Sequence, residues 1–193
     1  VESGKIALTC LYTIRQGEPV YDNVTGTLEI ADTDIIRIRG CADGDRTCLF
    51  FDPDRNACGI YDRRPLECRI LECWNPQMLT ATYNRDRLTR RHLFEGVPGV
   101  WDLVSEHHER CDYGRIAELA RSIREHRDPE GAGAAVLECA CYDHSLRQVT
   151  LERTPYDEQM LLFLFGRPLA VTLRSFRLRI VQKKDGPVVE HFM

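Results

Sequence analysis

Five of the nine cysteines lie between Cys41 and Cys73, in the pattern C-x6-C-x9-C-x9-C-x4-C. Between them stand turn formers, single aromatics and arginines, with no sustained period of 2 or 3.6. Asp52-Pro53-Asp54 and Asn56 mark a turn. Pro65 holds Arg64 extended and blocks a helix before Cys68. A stretch this rich in loops needs something besides an apolar core to fix it. The choices are a metal or cluster, disulfides, or incidental core cysteines. The odd cysteine count leaves one thiol unpaired under any disulfide scheme. The N-terminal residues, VESGKIALTC, show no basic-then-apolar export pattern and no initiator Met, so a processed chain in a reducing cytoplasm is expected. There clustered thiols serve as metal ligands more often than as disulfides. The metal or cluster reading therefore leads.

Thiolates suit zinc and iron–sulfur clusters. Structural zinc favours short C-x2–4-C knuckles, and only Cys68-x4-Cys73 comes close. Long, uneven gaps tilt the choice toward an iron–sulfur cluster, though scattered cysteines also bind zinc. Either centre would carry excess negative charge. Arg63, Arg64 and Arg69 flank Cys68 and are candidate compensating cations, or else solvated surface residues.

Cys48-Leu-Phe-Phe, then Cys58-Gly-Ile-Tyr-Asp-Arg-Arg-Pro-Leu-Glu-Cys68-Arg, then Cys73, resembles the CxxCxxCC family of zinc- or iron-chelating cysteine-cluster proteins. The likeness spans about residues 28–75 and rests on C-x-I-Y-x-x-R-P-x-x-C-R. The upstream C-x-x-C-x-x-C-C run that names the family is missing, so its upstream ligands do not carry over. The resemblance implies a ligand set of Cys48, Cys58, Cys68 and Cys73, enough for one metal ion or one 4Fe-4S cluster. Cys41 falls outside it. Similar clusters in flagellin lysine-methylating enzymes look like iron–sulfur sites, but no Gly-rich methyl-donor loop accompanies this one.

The rest of the chain reads as α+β and mostly helical, a single domain over 1–193. The cysteine segment occupies 41–76 and a mainly helical part 77–175. A strand is expected over 5–14, with Cys10 inside it as a small buried hydrophobe or an extra ligand. GTLEI at 26–30 gives another strand. Asp32 or Thr33 is expected to cap a short helix through Ile35, Ile36 and Ile38, ended by Gly40. One or two helices over 77–94 would present a basic face of Arg85, Arg87, Arg90, Arg91 and His92. Helices follow over 100–111, over 113–127 with Ile116, Leu119, Ala120 and Ile123 at helical spacing, over 131–152, and over 156–165. The longest apolar run, Met160–Phe165, reads as core. Phe176, Leu178 and Ile180 alternate with arginines as a strand, and Val188-Val189 is its hairpin partner.

Three secondary sites deserve naming. Cys139-x-Cys141-x-x-His144 is a possible second metal site or a set of small core residues, with 141 and 144 on one helix face. His107-His108 with Cys111 has metal spacing, but solvated histidines are the expectation on so polar a helix. The basic face invites an acidic partner or RNA, yet the net charge of −4 argues against nucleic acid. No apolar run is long enough to span a membrane, and no GxGxxG, P-loop, GxSxG or HExxH motif is present. The functional expectation is an iron–sulfur protein for electron transfer or cluster-dependent chemistry beside a protein partner. The alternative is a structural zinc module. If the chain is an enzyme, it is an oxidoreductase or modification enzyme that uses the centre.

Overall fold

The structure is a computed structural model that describes residues 6–41, 47–72, 74–83 and 85–192. A 3-10 turn at Leu8–Cys10 leads into β1 (Leu11–Ile14), followed by β2 (Pro19–Asp22), β3 (Thr27–Ile30) and β4 (Ile35–Ile38). The short hairpin β5 (Phe51–Asp52) and β6 (Ala57–Cys58) lies in the cysteine segment, with α1 (Leu66–Ile70) and α2 (Gln77–Thr82) after it. Then come α3 (Arg90–Phe94), α4 (Val100–Arg110), α5 (Tyr113–Arg124), α6 (Pro129–Arg153), α7 (Glu158–Leu164) and α8 (Leu169–Thr172). The hairpin β7 (Leu178–Lys183) and β8 (Gly186–His191) follows. Each sheet among the described residues is one antiparallel pair: β1 with β4, β2 with β3, β5 with β6, β7 with β8. The architecture is α+β, with the helices carrying the core.

Three helices begin on an aspartate whose carboxylate accepts a backbone N–H three residues on. These are Asp112 to Arg115 at 2.7 Å, Asp128 to Gly131 at 3.0 Å and Asp157 to Met160 at 2.8 Å. Each fills one of the open donors at a helix start. Asp128-Pro129 thus starts α6, with proline in the first turn where no N–H is needed, while α5 has already ended at Arg124.

Two apolar clusters form the core. One joins Ile116, Ala120 and Ile123 of α5 to Val136, Cys139 and Ala140 of α6, and reaches Leu169, Leu173 and Leu178. The other gathers Met160, Leu161, Phe163, Leu164 and Phe165 around Leu11, Phe94 and Val104.

Several expectations change. Ile35–Ile38 is a strand rather than a helix, because it pairs in register with β1 from Leu11↔Ile38 to Ile14↔Ile35. Its β-branched isoleucines suit that pleat. Of the strand expected over 5–14, only Leu11–Ile14 forms, since Leu8–Cys10 is a 3-10 turn; Lys5 lies outside the described residues. Cys10 is half-buried. Phe176 belongs to a 3-10 turn that ends at Arg177 in the left-handed region, so β7 starts only at Leu178. After Gly166, Pro168 starts the unexpected α8.

Candidate metal centre

The cysteine segment is sparsely buried. From residue 47 to residue 83, Ile60 is the single buried side chain among the described residues. Burying one isoleucine returns roughly 1.5–3 kcal/mol, whereas fixing each residue's backbone costs roughly 1–2 kcal/mol. Packing alone leaves this segment far short of what its order requires.

Local hydrogen bonds shape it. Asp52 accepts from the N–H groups of Asp54 and Arg55 at 3.0 and 3.1 Å and so closes the β5–β6 turn. Asn56 there has φ 45°, a conformation that asparagine tolerates well. The hairpin pairs Phe51 with Cys58, and the Phe51 N–H donates to the Cys48 carbonyl at 2.9 Å. Cys48 and Cys58 therefore stand at the base of one hairpin. Cys41 joins from the other side: Gly40 bridges to Cys48, and the Cys41 thiol donates to the Cys48 carbonyl at 3.4 Å. The Tyr61–Arg63 turn and Pro65 lead into α1, which carries Cys68.

Cys41, Cys48 and Cys68 are exposed, and Cys58 is half-buried. All four are free thiols. Cys73 lies outside the described residues. Loss of water pushes the Cys68 thiol up first, and Cys48, Glu67 and Cys58 push it further, while Arg64 opposes them. Cys48, Cys58 and Cys68 thus lie within electrostatic reach of one another. Thiolates at these positions would repel one another, and a bound thiophilic cation would relieve that repulsion. Among the described residues, no three His, Cys, Asp or Glu side chains converge to metal-holding distance.

Of the arginines, Arg64 is the most engaged. Its Nε donates to the Tyr61 carbonyl at 2.8 Å, and its guanidinium lies 3.5 Å from the Tyr61 ring centroid. Arg63 and Arg69 are exposed.

The basic face expected around Arg85–His92 is broken up. The α2 helix ends at Thr82, and Arg90 is buried, 2 % exposed, with two hydrogen bonds to Asp34 at 2.7 and 2.9 Å. Arg91 pairs with Glu95, and His92 accepts from the Thr89 N–H at 3.1 Å. Cys139 is core, whereas Cys141 and His144 on the same helix are exposed.

His107 is not solvated, contrary to the expectation for α4. It is fully buried, with Nε2 2.7 Å from Asp143 Oδ1, and Cys111 is buried beside it. The sequence reading missed this polar centre entirely. Asp143 also accepts from Arg147 Nε at 2.9 Å and from the Leu169 N–H at 2.8 Å. Around it, donors meet the carbonyls at the end of α7. Thr13 reaches Phe163, Arg90 reaches Leu164, and Arg147 reaches Phe165 and Gly166. Two arginines at a helix C-terminus satisfy open carbonyls and complement the dipole. No local signal marks Asp143 and Arg147, which stand in the polar half of α6 among His144, Ser145 and Gln148.

No family model, curated protein or solved structure matches the chain. No helix among the described residues is long and apolar enough to cross a membrane.

Proposed function

We propose that the chain is a metal-binding cysteine-cluster protein holding one centre with Cys48, Cys58, Cys68 and Cys73. A 4Fe-4S cluster is the preferred occupant, and it would supply one-electron transfer. The observation that carries the reading is the missing core: the described residues from 47 to 83 bury only Ile60, yet they form an ordered hairpin and helices around free thiols. A thiolate-bound centre supplies the required stabilisation, of order 10–16 kcal/mol for structural zinc in small peptides. The motif's likeness to the CxxCxxCC family agrees with this.

Within the proposal, Arg64 is the best candidate for offsetting the centre's negative charge, since it acts directly on Cys68. Arg63 and Arg69 play lesser roles at the rim. The exposed Tyr61, Leu66, Leu71, Trp74 and Met78 lie along the same stretch of chain and support a protein partner docking there. A reducing, cytoplasmic setting fits the free thiols.

Structural zinc is the second reading, favoured by the same missing core, because an ion that replaces a core need not be redox-active. Anaerobic purification with metal and sulfide analysis and a visible spectrum decides between them. Brown protein with acid-labile sulfide supports the cluster. Colourless protein with one zinc supports the second reading. Metal-free protein whose cysteine segment stays protected from proteolysis overturns both.

A further inference from the structure

Arg15 is fully buried, 0 % exposed, and none of its three guanidinium nitrogens has a hydrogen-bond partner. Its neighbours account for their own charges. Arg90 takes Asp34, Arg147 takes Asp143, and Arg167 takes Glu18. Arg15, Arg90 and Arg147 are buried with Glu18, Asp34 and Asp143, and the Arg167 side chain, 41 % exposed, takes Glu18 Oε1 from the rim. Arg15 is the buried arginine whose guanidinium meets no carboxylate. Its backbone N–H donates to Glu18 Oε2 at 3.2 Å, while Glu18 Oε1 accepts from Arg167.

A buried charge without a counterion is costly enough that proteins seldom keep one. The Tyr113 ring lies 4.2 Å beneath the Arg15 guanidinium and offsets part of the cost through its π face. A ring face carries no negative charge and leaves the in-plane N–H groups unsatisfied. The surroundings make matters worse. Arg15 disfavours the protonated forms of His107 and His108 and the charged form of Arg147, so these groups share its neighbourhood. Two carboxylates of that neighbourhood are already engaged: Asp143 serves His107, Arg147 and the Leu169 N–H, and Glu18 accepts from the Arg15 backbone N–H and from Arg167.

We propose that Arg15 holds a small inorganic monoanion, a halide being the simplest, as a buried structural counterion between α4, α5 and α6. One negative charge gives that guanidinium the counterion it lacks. A compact ion suits a guanidinium with no exposed surface. The buried Nδ1 of His108 is also unpartnered and adds a donor in its Nδ1–H tautomer. His107 gives its proton to Asp143, so its Nδ1 is an acceptor and takes no part in holding the ion. Gly166 shapes the wall, since a Cβ there would stand 3.0 Å from Arg15 Cγ.

The test uses the full chain. Unfolding is followed in potassium chloride and in potassium gluconate at equal ionic strength. Once the site is near saturation, a tenfold rise in chloride should raise the folding equilibrium constant by about tenfold. Gluconate should not. Arg15→Met keeps an apolar stem on Tyr113, removes the charge, and should abolish the difference between the salts. If that variant fails to fold, a crystal of the native chain grown in bromide decides, through an anomalous peak beside the Arg15 nitrogens. Identical stability in both salts overturns the proposal. So does a bromide crystal in which Glu18 or water occupies that position.

Discussion

His107 on α4 and Asp143 on α6 meet at 2.7 Å in a fully buried contact. The carboxylate also takes Arg147 and the Leu169 N–H, and against the upward push of burial the His107 hydrogen bond, then Arg147 and the Leu169 N–H, hold it below its ordinary value. An ionised Asp143 accepts, so His107 carries its proton on Nε2. Burial pulls the His107 pKa down to about 4, and Arg15 and Arg147 add to the shift against the pull of Asp143. The imidazole is therefore neutral in the folded protein at pH 7.

Acid should destabilise the fold before its carboxylates titrate. His107 takes up a proton at about 4 when folded and near 6.5 when unfolded, so between these values the unfolded state binds more protons. Stability should be full above pH 6.5 and fall as the pH drops toward 4, by about 3 kcal/mol in all. Asp34 and Asp143, both lowered, extend the loss below their ordinary carboxylate range. Urea midpoints from pH 7.5 to 4 measure this. His107→Gln, which can still donate to Asp143, should flatten the slope between 6.5 and 4.

Arg90→Met should be among the most damaging single changes outside the cysteine segment. It strands Asp34 in the interior and leaves the Leu164 carbonyl without its donor. Breaking one side of a buried pair costs about 3–5 kcal/mol. Asp34→Leu in the same chain should recover part of the loss, and a double-mutant cycle on denaturant midpoints reads the coupling.

Gly166→Ala should destabilise by more than about 1 kcal/mol. Gly166 has φ 72°, and its added Cβ would stand 2.9 Å from the Thr13 carbonyl oxygen. Backbone at that distance cannot swing aside as a side chain can. Guanidinium denaturation of the variant checks this.

Cys58→Ser and Cys68→Ser should each abolish binding at the proposed centre and expose the surrounding segment to protease. The α5–α6 core should keep its hydrogen-exchange protection, because it shares no cluster with the cysteine segment. Retained metal in both variants would refute the ligand assignment.

Thiol alkylation should separate the cysteines by burial. Cys41 and Cys141 are exposed and should label quickly in the native protein. Cys111 is fully buried, and burial pushes its thiol up to about 12, so it should label only on unfolding. Mass spectrometry of timed iodoacetamide digests distinguishes them.

The helices were legible because their signals are local. The spacing of Ile116, Ala120 and Ile123 and the apolar run Met160–Phe165 both act within a few turns. The strand Ile35–Ile38 was not, since isoleucines at 35, 36 and 38 fit either period and only pairing with β1 decides. Nor was the polar centre. Thr13 meets Phe163 across 150 residues and Arg90 meets Leu164 across 74. No short-range pattern marks such partners.

Sequence alone determined where several of the helices lie and that the segment around Cys48, Cys58 and Cys68 carries no sustained helical or strand pattern. Tertiary structure alone decided which charges lie inside. An arginine reads the same on a surface or in a core. Arg90 and Arg147 are buried because carbonyls at the end of α7 and the carboxylates of Asp34 and Asp143 receive them. Arg15 is buried with no such reception, and only packing against Tyr113 reveals it.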